Sequence, residues 1–475
     1  MRVLMGLLVA TLVTLFAGQA MAQADAQAQK CKQLAGVDFG DIVDAPSSIL
    51  SATFKGSACE IDGYVQPNVG FALRLPAAWN GKFGEVGCGG FCGAVLPQLC
   101  DDMLARGYAC LTSDLGHKST GNDGKWAYNN LQAEIDFASR ATHVLAVAGK
   151  AIAEHYYSKA PTRAYFLGCS TGGRQGFFQA QHFPDDFDGI VAGAPVSRIT
   201  GVGMANTWAT MAMLKDGKPL FKFDDMTVLH DAVLARCDAI DGHKDGVIDD
   251  PRKCTFDAGS LGCMARSTGA CFNADQVAAI RKIYGGPVNS KGEKLFAGGQ
   301  QPGSELDWRV FIATASSAAG VHGFMQDMFR YMMFTPDPGP LWSLKDFDWD
   351  KDPPRLALME SLYNAENPDM RKFKARGGKL IAYQGWSDPL ILPENVIDFY
   401  GLTERTMGGP AATRDFFRLF MVPGMGHCGG GSGPFTVDYL AYLENWVEKG
   451  AAPDAVVAKS ATAERTLQAY PLPAK

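Results

Sequence analysis

The sequence predicts an α/β protein with a doubly wound, mostly parallel sheet, on three observations. Short apolar runs alternate with stretches of helical periodicity up to Pro195. One of those runs opens into a tight Gly-rich turn and then a helix. The same strand and helix rhythm returns near the C-terminus after a long interruption.

Met1-Arg2, an apolar stretch from Val3 to Gly18 and the small-x-small triplet Ala20-Met21-Ala22 read as a secretory signal peptide, residues 1–22. Gly63 to Leu75 alternates polar and apolar residues, as an antiparallel edge strand does. Lys82 to Val86 reads as a strand running into the glycine-rich loop Gly87-Cys88-Gly89-Gly90. Asp101 to Arg106 reads as a helix and Tyr108 to Ser113 as a strand. A long amphipathic helix is expected over Leu131 to Tyr157, with Ile135, Val144, Leu145, Ala148 and Ile152 at helical spacing. Ala164 to Leu167 is a buried strand, Gln175 to Phe183 a helix stopped by Pro184, and Gly189 to Ala194 another strand.

After Pro195 the rhythm stops. Residues 196–368 carry four cysteines, an acidic loop and a cluster of aromatic and methionine residues from Phe324 to Phe334, and read as a lid domain inserted into the core. That cluster suits ordinary lid core and also a pocket for flat rings. Strands return at Lys379 to Tyr383 and Phe417 to Val422, and the last helix, Val437 to Glu448, closes before Gly450. The core is therefore expected in two parts, residues 23–195 and 369–475.

The central stretch is Gly168-Cys169-Ser170-Thr171-Gly172 between the strand ending at Leu167 and the following helix. A G-x-S-x-G turn in that setting is a nucleophile elbow, because its glycines let strand and helix pass closely while the turn pushes the serine hydroxyl outward. Ser170 is the candidate nucleophile. Asp388 and His427 follow it on loops after two late strands, in the order Ser, Asp, His that the α/β-hydrolase fold uses. His427 suits the general base and Asp388 its orienting carboxylate, in preference to Asp114 and Asp188. Thr171, next to the serine, and Gly89, on the early glycine-rich loop, are the expected oxyanion-hole donors.

Twelve cysteines, an even number, fit an exported protein with several disulfides. Cys169 precedes the candidate nucleophile and Cys428 follows the candidate base, so a bridge between them is plausible if Ser170 and His427 meet. Proximity suggests Cys237 with Cys254 and Cys263 with Cys271. The partners of Cys31, Cys59, Cys88, Cys92, Cys100 and Cys110 stay open.

The run from Cys237 to Asp249 has the carboxylate density and the glycines of an oxygen-ligated Ca²⁺ loop. Asp238, Asp241 and Asp245 would give side chains, and His243 and Val247 carbonyls. It lacks the spacing and the terminal Glu of an EF-hand. A net charge of -6 without a basic run gives no reason to propose a nucleic-acid partner, and no segment after the signal is apolar enough to span a membrane. Oligomeric state is not legible.

Together, Gly168 to Gly173, Gly385-Trp386-Ser387-Asp388 and His427-Cys428 resemble the tannase and feruloyl esterase family, over nearly all of the mature chain. The resemblance implies a disulfide joining the neighbours of the catalytic serine and histidine, and a calcium site in the lid. It implies an exported serine esterase, in a periplasm or outside the cell, for small aromatic esters: feruloyl and other hydroxycinnamoyl esters, galloyl esters, or the half-ester of terephthalate. Phe324 resembles the aromatic that packs on the substrate ring. The terephthalate branch places an arginine in the lid near residues 319–324, and none stands there in this sequence. A peptidase with the same triad and a non-catalytic binding protein on the same scaffold are the rival expectations.

Overall fold

The computed structural model describes residues 25–263, 270–314 and 320–471. The expected signal peptide lies outside the described residues. The described chain divides into two compact units.

The first unit comprises residues up to Val86, Val95–Gly116 and His143–Tyr165. It contains strands β1 (Ser47–Lys55), β2 (Ala58–Val65), β3 (Val69–Pro76), β4 (Lys82–Val86) and β5 (Ala109–Ser113), in the order β1-β2-β3-β5-β4. The pairs from β1 to β5 are antiparallel, and β4 joins β5 in parallel. The alternation from Gly63 to Leu75, expected as one strand, is a hairpin: Val65 pairs with Val69, and the chain reverses at Gln66 to Asn68. The polar and apolar alternation continues through both strands, so only Pro67, which has no N–H to give a ladder, marked the turn. Most of helix α1 (Ala141–Tyr157) belongs to this unit. A Cβ on Gly149 would stand 2.7 Å from the Phe83 ring, so glycine there lets helix and strand approach. Cys31–Cys59 and Cys100–Cys110 are disulfides within the unit.

The second unit holds Gly87–Ala94, His117–Thr142 and the chain from Phe166 onward, including the whole of residues 196–368 that are described. Strand β6 (Arg163–Cys169) runs into it, followed by β7 (Gly189–Gly193), β8 (Lys379–Gly385) and β9 (Phe417–Val422), in that order. β7 and β9 flank β8 in parallel, with Ala192 opposite Ala382 and Ala382 opposite Leu419. Helix α2 (Thr171–His182) follows β6, α3 (Ile199–Ala212) follows β7, α4 (Gly320–Tyr331) comes from the expected lid, and α5 (Tyr439–Lys449) comes near the C-terminus. Residues 196–368 build an apolar core of their own, in which Met226, Leu229, Val233, Ile280, Trp308 and Phe311 are fully buried. The nine strands are a mixed, mostly parallel sheet with helices, the expected α/β class.

The long helix expected over Leu131 to Tyr157 is not uniform. It is helical over Leu131–Ile135, makes a π turn over Asp136–Arg140, and continues as α1. The buried Arg174 of α2 donates to the carbonyls of Phe137 and Ala138 in this turn, at 2.9 and 2.8 Å. Those contacts satisfy a cation and irregular carbonyls together, which periodicity of apolar residues does not reveal.

Candidate active site

Ser170 stands between β6 and α2 with φ 63° and ψ -121°, a conformation that costs a non-glycine residue energy. Its N–H donates to Gly193 O at 2.9 Å, and its carbonyl accepts from Arg174 N at 3.0 Å, so the strained turn is held at both ends. A Cβ on Gly168 would lie 2.5 Å from the Gly172 carbonyl, and one on Gly173 would lie 2.3 Å from Gly193 O. The close crossing of strand and helix therefore requires glycine, as the motif predicts.

Asp388 and His427 lie on the loops that follow β8 and β9. Ser387 N donates to Met425 O and Trp386 N to Val422 O, both at 3.0 Å, so the two loops are tied together. The fully buried Asp388 carboxylate faces His427 Nδ1 at 2.9 Å through Oδ2. Gln384 Nε2 donates to the same oxygen at 3.0 Å, and the N–H groups of Leu390 and Ile391 donate to Oδ1 at 2.9 and 3.0 Å. Four donors fix the carboxylate in place. Burial pulls the His427 pKa down, but the Asp388 charge and hydrogen bond outweigh it and hold it above the ordinary histidine value.

Cys169 and Cys428 form the expected disulfide, with Cα atoms 6.0 Å apart. Ser170 and His427 line one cavity of about 330 Å³. No hydrogen bond of Ser170 Oγ occurs among the described residues, so the cavity wall and the disulfide are what associate the two. Thr171 lines the cavity next to Ser170. On the early loop it is Gly90 that lines it, while Gly89 is exposed one residue earlier. The loop is closed by the Cys88–Cys92 disulfide, and Cys92 N donates to Gly89 O at 3.0 Å, which turns Gly90 (φ 59°) to the cavity. Thr171 Oγ1 donates to Gly90 O at 2.7 Å.

Phe324 also lines the cavity, stacked on Phe91 with ring centroids 3.9 Å apart. Val196, Ile199, Val202, Met325, Met328 and Ile391 complete an apolar wall. The rejected acids have other uses. Asp114 accepts from the N–H groups of Gly70 and Gly116, and Asp188 pairs with Arg376 at 3.3 Å.

Residues 56–474 match the family model described as tannase and feruloyl esterase. The chain belongs to the tannase and feruloyl esterase family. It is 32% identical to a mono(2-hydroxyethyl) terephthalate hydrolase of Piscinibacter sakaiensis, over 88% of this chain and 81% of that one. It is 31% identical to a probable feruloyl esterase B-2 of Neosartorya fischeri, over 86% and 80%. The structure matches that of feruloyl esterase B from Aspergillus oryzae with a TM-score of 0.83 at 26% identity, covering 94% of this chain and 96% of the other. As a tannase and feruloyl esterase family member, the chain is a carboxylic ester hydrolase.

Elsewhere in this esterase the acidic loop folds on itself. Asp238 Oδ1 accepts from Gly246 N, Asp241 Oδ1 from His243 N, and Asp245 Oδ1 from Val247 N, at 3.0, 2.8 and 3.1 Å. The flanking Cys237–Cys254 bridge forms, as does Cys263–Cys271. Among the described residues no group of three or more His, Cys, Asp or Glu side chains is gathered as a metal site. The donor chemistry of the loop, carboxylates and carbonyls alone, is that of a hard cation.

Sequence reasoning missed two residues near the candidate triad. Asp307 lies beside Gly426, where a Cβ would meet its Oδ2 at 3.0 Å; burial and the Asp388 charge push its pKa up. Asn206 lines the cavity from α3. Asp307 carried no local signal, since it reaches the site from a stretch far from both loops.

Proposed function

We propose that this chain is an exported serine esterase that cleaves esters of aromatic acids, of the hydroxycinnamoyl or galloyl kind. The observation that carries the reading is His427, hydrogen-bonded to Asp388, on the same apolar cavity as a serine held in a nucleophile elbow. Ser170 attacks the ester carbonyl while His427 Nε2 takes its proton, and Asp388 fixes the tautomer and stabilises the imidazolium. The N–H groups of Thr171 and Gly90 are the donors proposed for the oxyanion. His427 returns the proton to the leaving alcohol, and water then releases the acyl group from Ser170 by the same steps in reverse.

Six disulfides, with no free cysteine among the described residues, suit an extracellular setting, and the N-terminal signal accounts for export. Among the described residues no helix is long and apolar enough to cross a membrane. Asp238, Asp241 and Asp245, with the carbonyls of His243 and Val247, are proposed to hold a structural Ca²⁺ that neutralises the loop.

The test is hydrolysis of methyl ferulate, methyl gallate, a terephthalate half-ester and p-nitrophenyl acetate by the wild type and by Ser170→Ala. Turnover of a ferulate or gallate ester that disappears in the variant is the expected result. Turnover that survives the substitution, or that is confined to the activated acetate, contradicts the reading.

A further inference from the structure

Resting on that reading, we propose that Asn206 is a specificity-determining residue of the acyl pocket, selecting acids whose aromatic ring carries a hydroxyl over those with a methyl ether or a carboxylate there.

Helix α3 brings Ile199, Val202 and Asn206 to the cavity at i, i+3 and i+7, so one face of the helix forms a wall. Asn206 is 3% exposed. Its Nδ2 donates to Leu390 O at 2.9 Å. A carbonyl only accepts, so this contact settles which end of the amide faces Leu390 and leaves Oδ1 at the other end of the planar group. Among the described residues no protein group donates to Oδ1, yet the atom is not among the buried polar atoms sealed from solvent. Asn206 thus brings to the cavity an acceptor that no described protein group occupies.

The rest of the lining gives that acceptor its weight. Among the described residues, apart from Ser170, Thr171 and His427 at the reacting end and the exposed Asn122, the other side chains that line the cavity with Asn206 are apolar, and none of them is Lys or Arg. An acceptor in such a wall rewards a donor on the substrate and is left unpaired by an analogue without one. A phenolic hydroxyl supplies that donor on a ring flat enough for the Phe91 and Phe324 aromatic wall. A ring methoxy group fills the space without donating. A ring carboxylate brings two acceptor oxygens and a charge into a wall that has no Lys or Arg among the described residues to meet it. Leu390 also donates its N–H to Asp388 Oδ1, so Asn206 braces the loop of the triad as well. A purely structural role of that kind would alter all substrates alike; a specificity role alters their ratio.

The experiment compares kcat/KM for methyl 4-hydroxycinnamate, methyl 4-methoxycinnamate and methyl 4-carboxycinnamate in the wild type, Asn206→Leu and Asn206→Ser. The wild type is expected to favour the hydroxy ester over the methoxy ester by about tenfold, and the carboxylate ester least. In Asn206→Leu the hydroxy-to-methoxy ratio is expected to fall to about one. Asn206→Ser, which keeps a small acceptor, is expected to lie between. The wild-type ratio decides even if a variant does not fold: equal rates on all three esters would overturn the Asn206 assignment alone. A ratio unchanged in a folded Asn206→Leu would also overturn it. Hydrolysis of none of the three, with p-nitrophenyl acetate still cleaved, would overturn the aromatic-ester reading beneath it and the proposal together.

Discussion

His427 must be neutral at Nε2 to accept the serine proton, and its surroundings favour the charged form. Burial opposes the charge, but the Asp388 carboxylate and its hydrogen bond prevail and raise the pKa. Activity on the proposed reading therefore rises with pH through a midpoint above the ordinary histidine value of about 6.5. In Asp388→Asn the limb should move to lower pH, because the charge that raised it is gone. The rate should also fall by about 10³- to 10⁴-fold, as the tautomer is no longer held. A kcat/KM profile of both proteins checks this, and an unmoved limb would remove Asp388 from the site. Phe324 gives a second prediction. Replacing it with Ala should lower kcat/KM for aromatic-acid esters by about tenfold more than for p-nitrophenyl acetate, since only the former lose a ring contact. Equal losses would take it out of the acyl pocket.

At the scale of elements, the Cys169–Cys428 bridge joins the elbow after β6 to the loop after β9 across 259 positions of sequence. Closing so long a loop restricts the unfolded chain by an amount worth about 5.5 kcal/mol in the chain-entropy account, although the five other disulfides already restrict it. The bridge also ties together the chain neighbours of Ser170 and His427, and on the proposed reading it orients the two. The Cys169→Ala, Cys428→Ala double variant should therefore lose turnover more than it loses unfolding temperature; turnover unchanged would deny the orienting role. Glu134, on the helical segment before the π turn, makes a separate prediction. Burial, and then the charge of Asp337, push its pKa up to about 8. The folded protein holds that proton where the unfolded chain has lost it, so stability declines as pH rises from about 4.5 toward 8. Glu134→Gln should flatten that decline in a melting series from pH 5 to 8, and parallel curves would contradict the assignment. The candidate triad was legible because each proposed member sits on a loop that follows a strand. The π turn and the Pro67 hairpin were hidden because the apolar periodicity runs through them unbroken. The Gly90 position depends on how Cys88 pairs, which sequence left open, and Asn206 sits on a helix whose neighbours are buried nearly all round, so no amphipathic stripe marked its face.

For the whole molecule, the two units divide along a contact boundary that strand and helix patterning did not suggest: residues 196–368 join β7, β8 and β9 in one unit. Their own apolar core fits the proposed lid. The calcium proposal belongs at this scale, since the acidic loop reaches the C-terminal strand segment through Arg465, which pairs with Asp249 and stands 4.0 Å from Asp245. Chelation should lower the unfolding temperature and leave the pH limb of activity in place; purified protein without bound calcium by elemental analysis would contradict the ion. The proposed chemistry depends on Ser170 as nucleophile. Mass spectrometry of protein quenched during turnover of an activated hydroxycinnamoyl ester tests this most directly. The account predicts one acyl group on the peptide that carries Ser170, and none in Ser170→Ala. An acyl group on another residue, or turnover with no covalent intermediate in a protein that still needs His427, would contradict it.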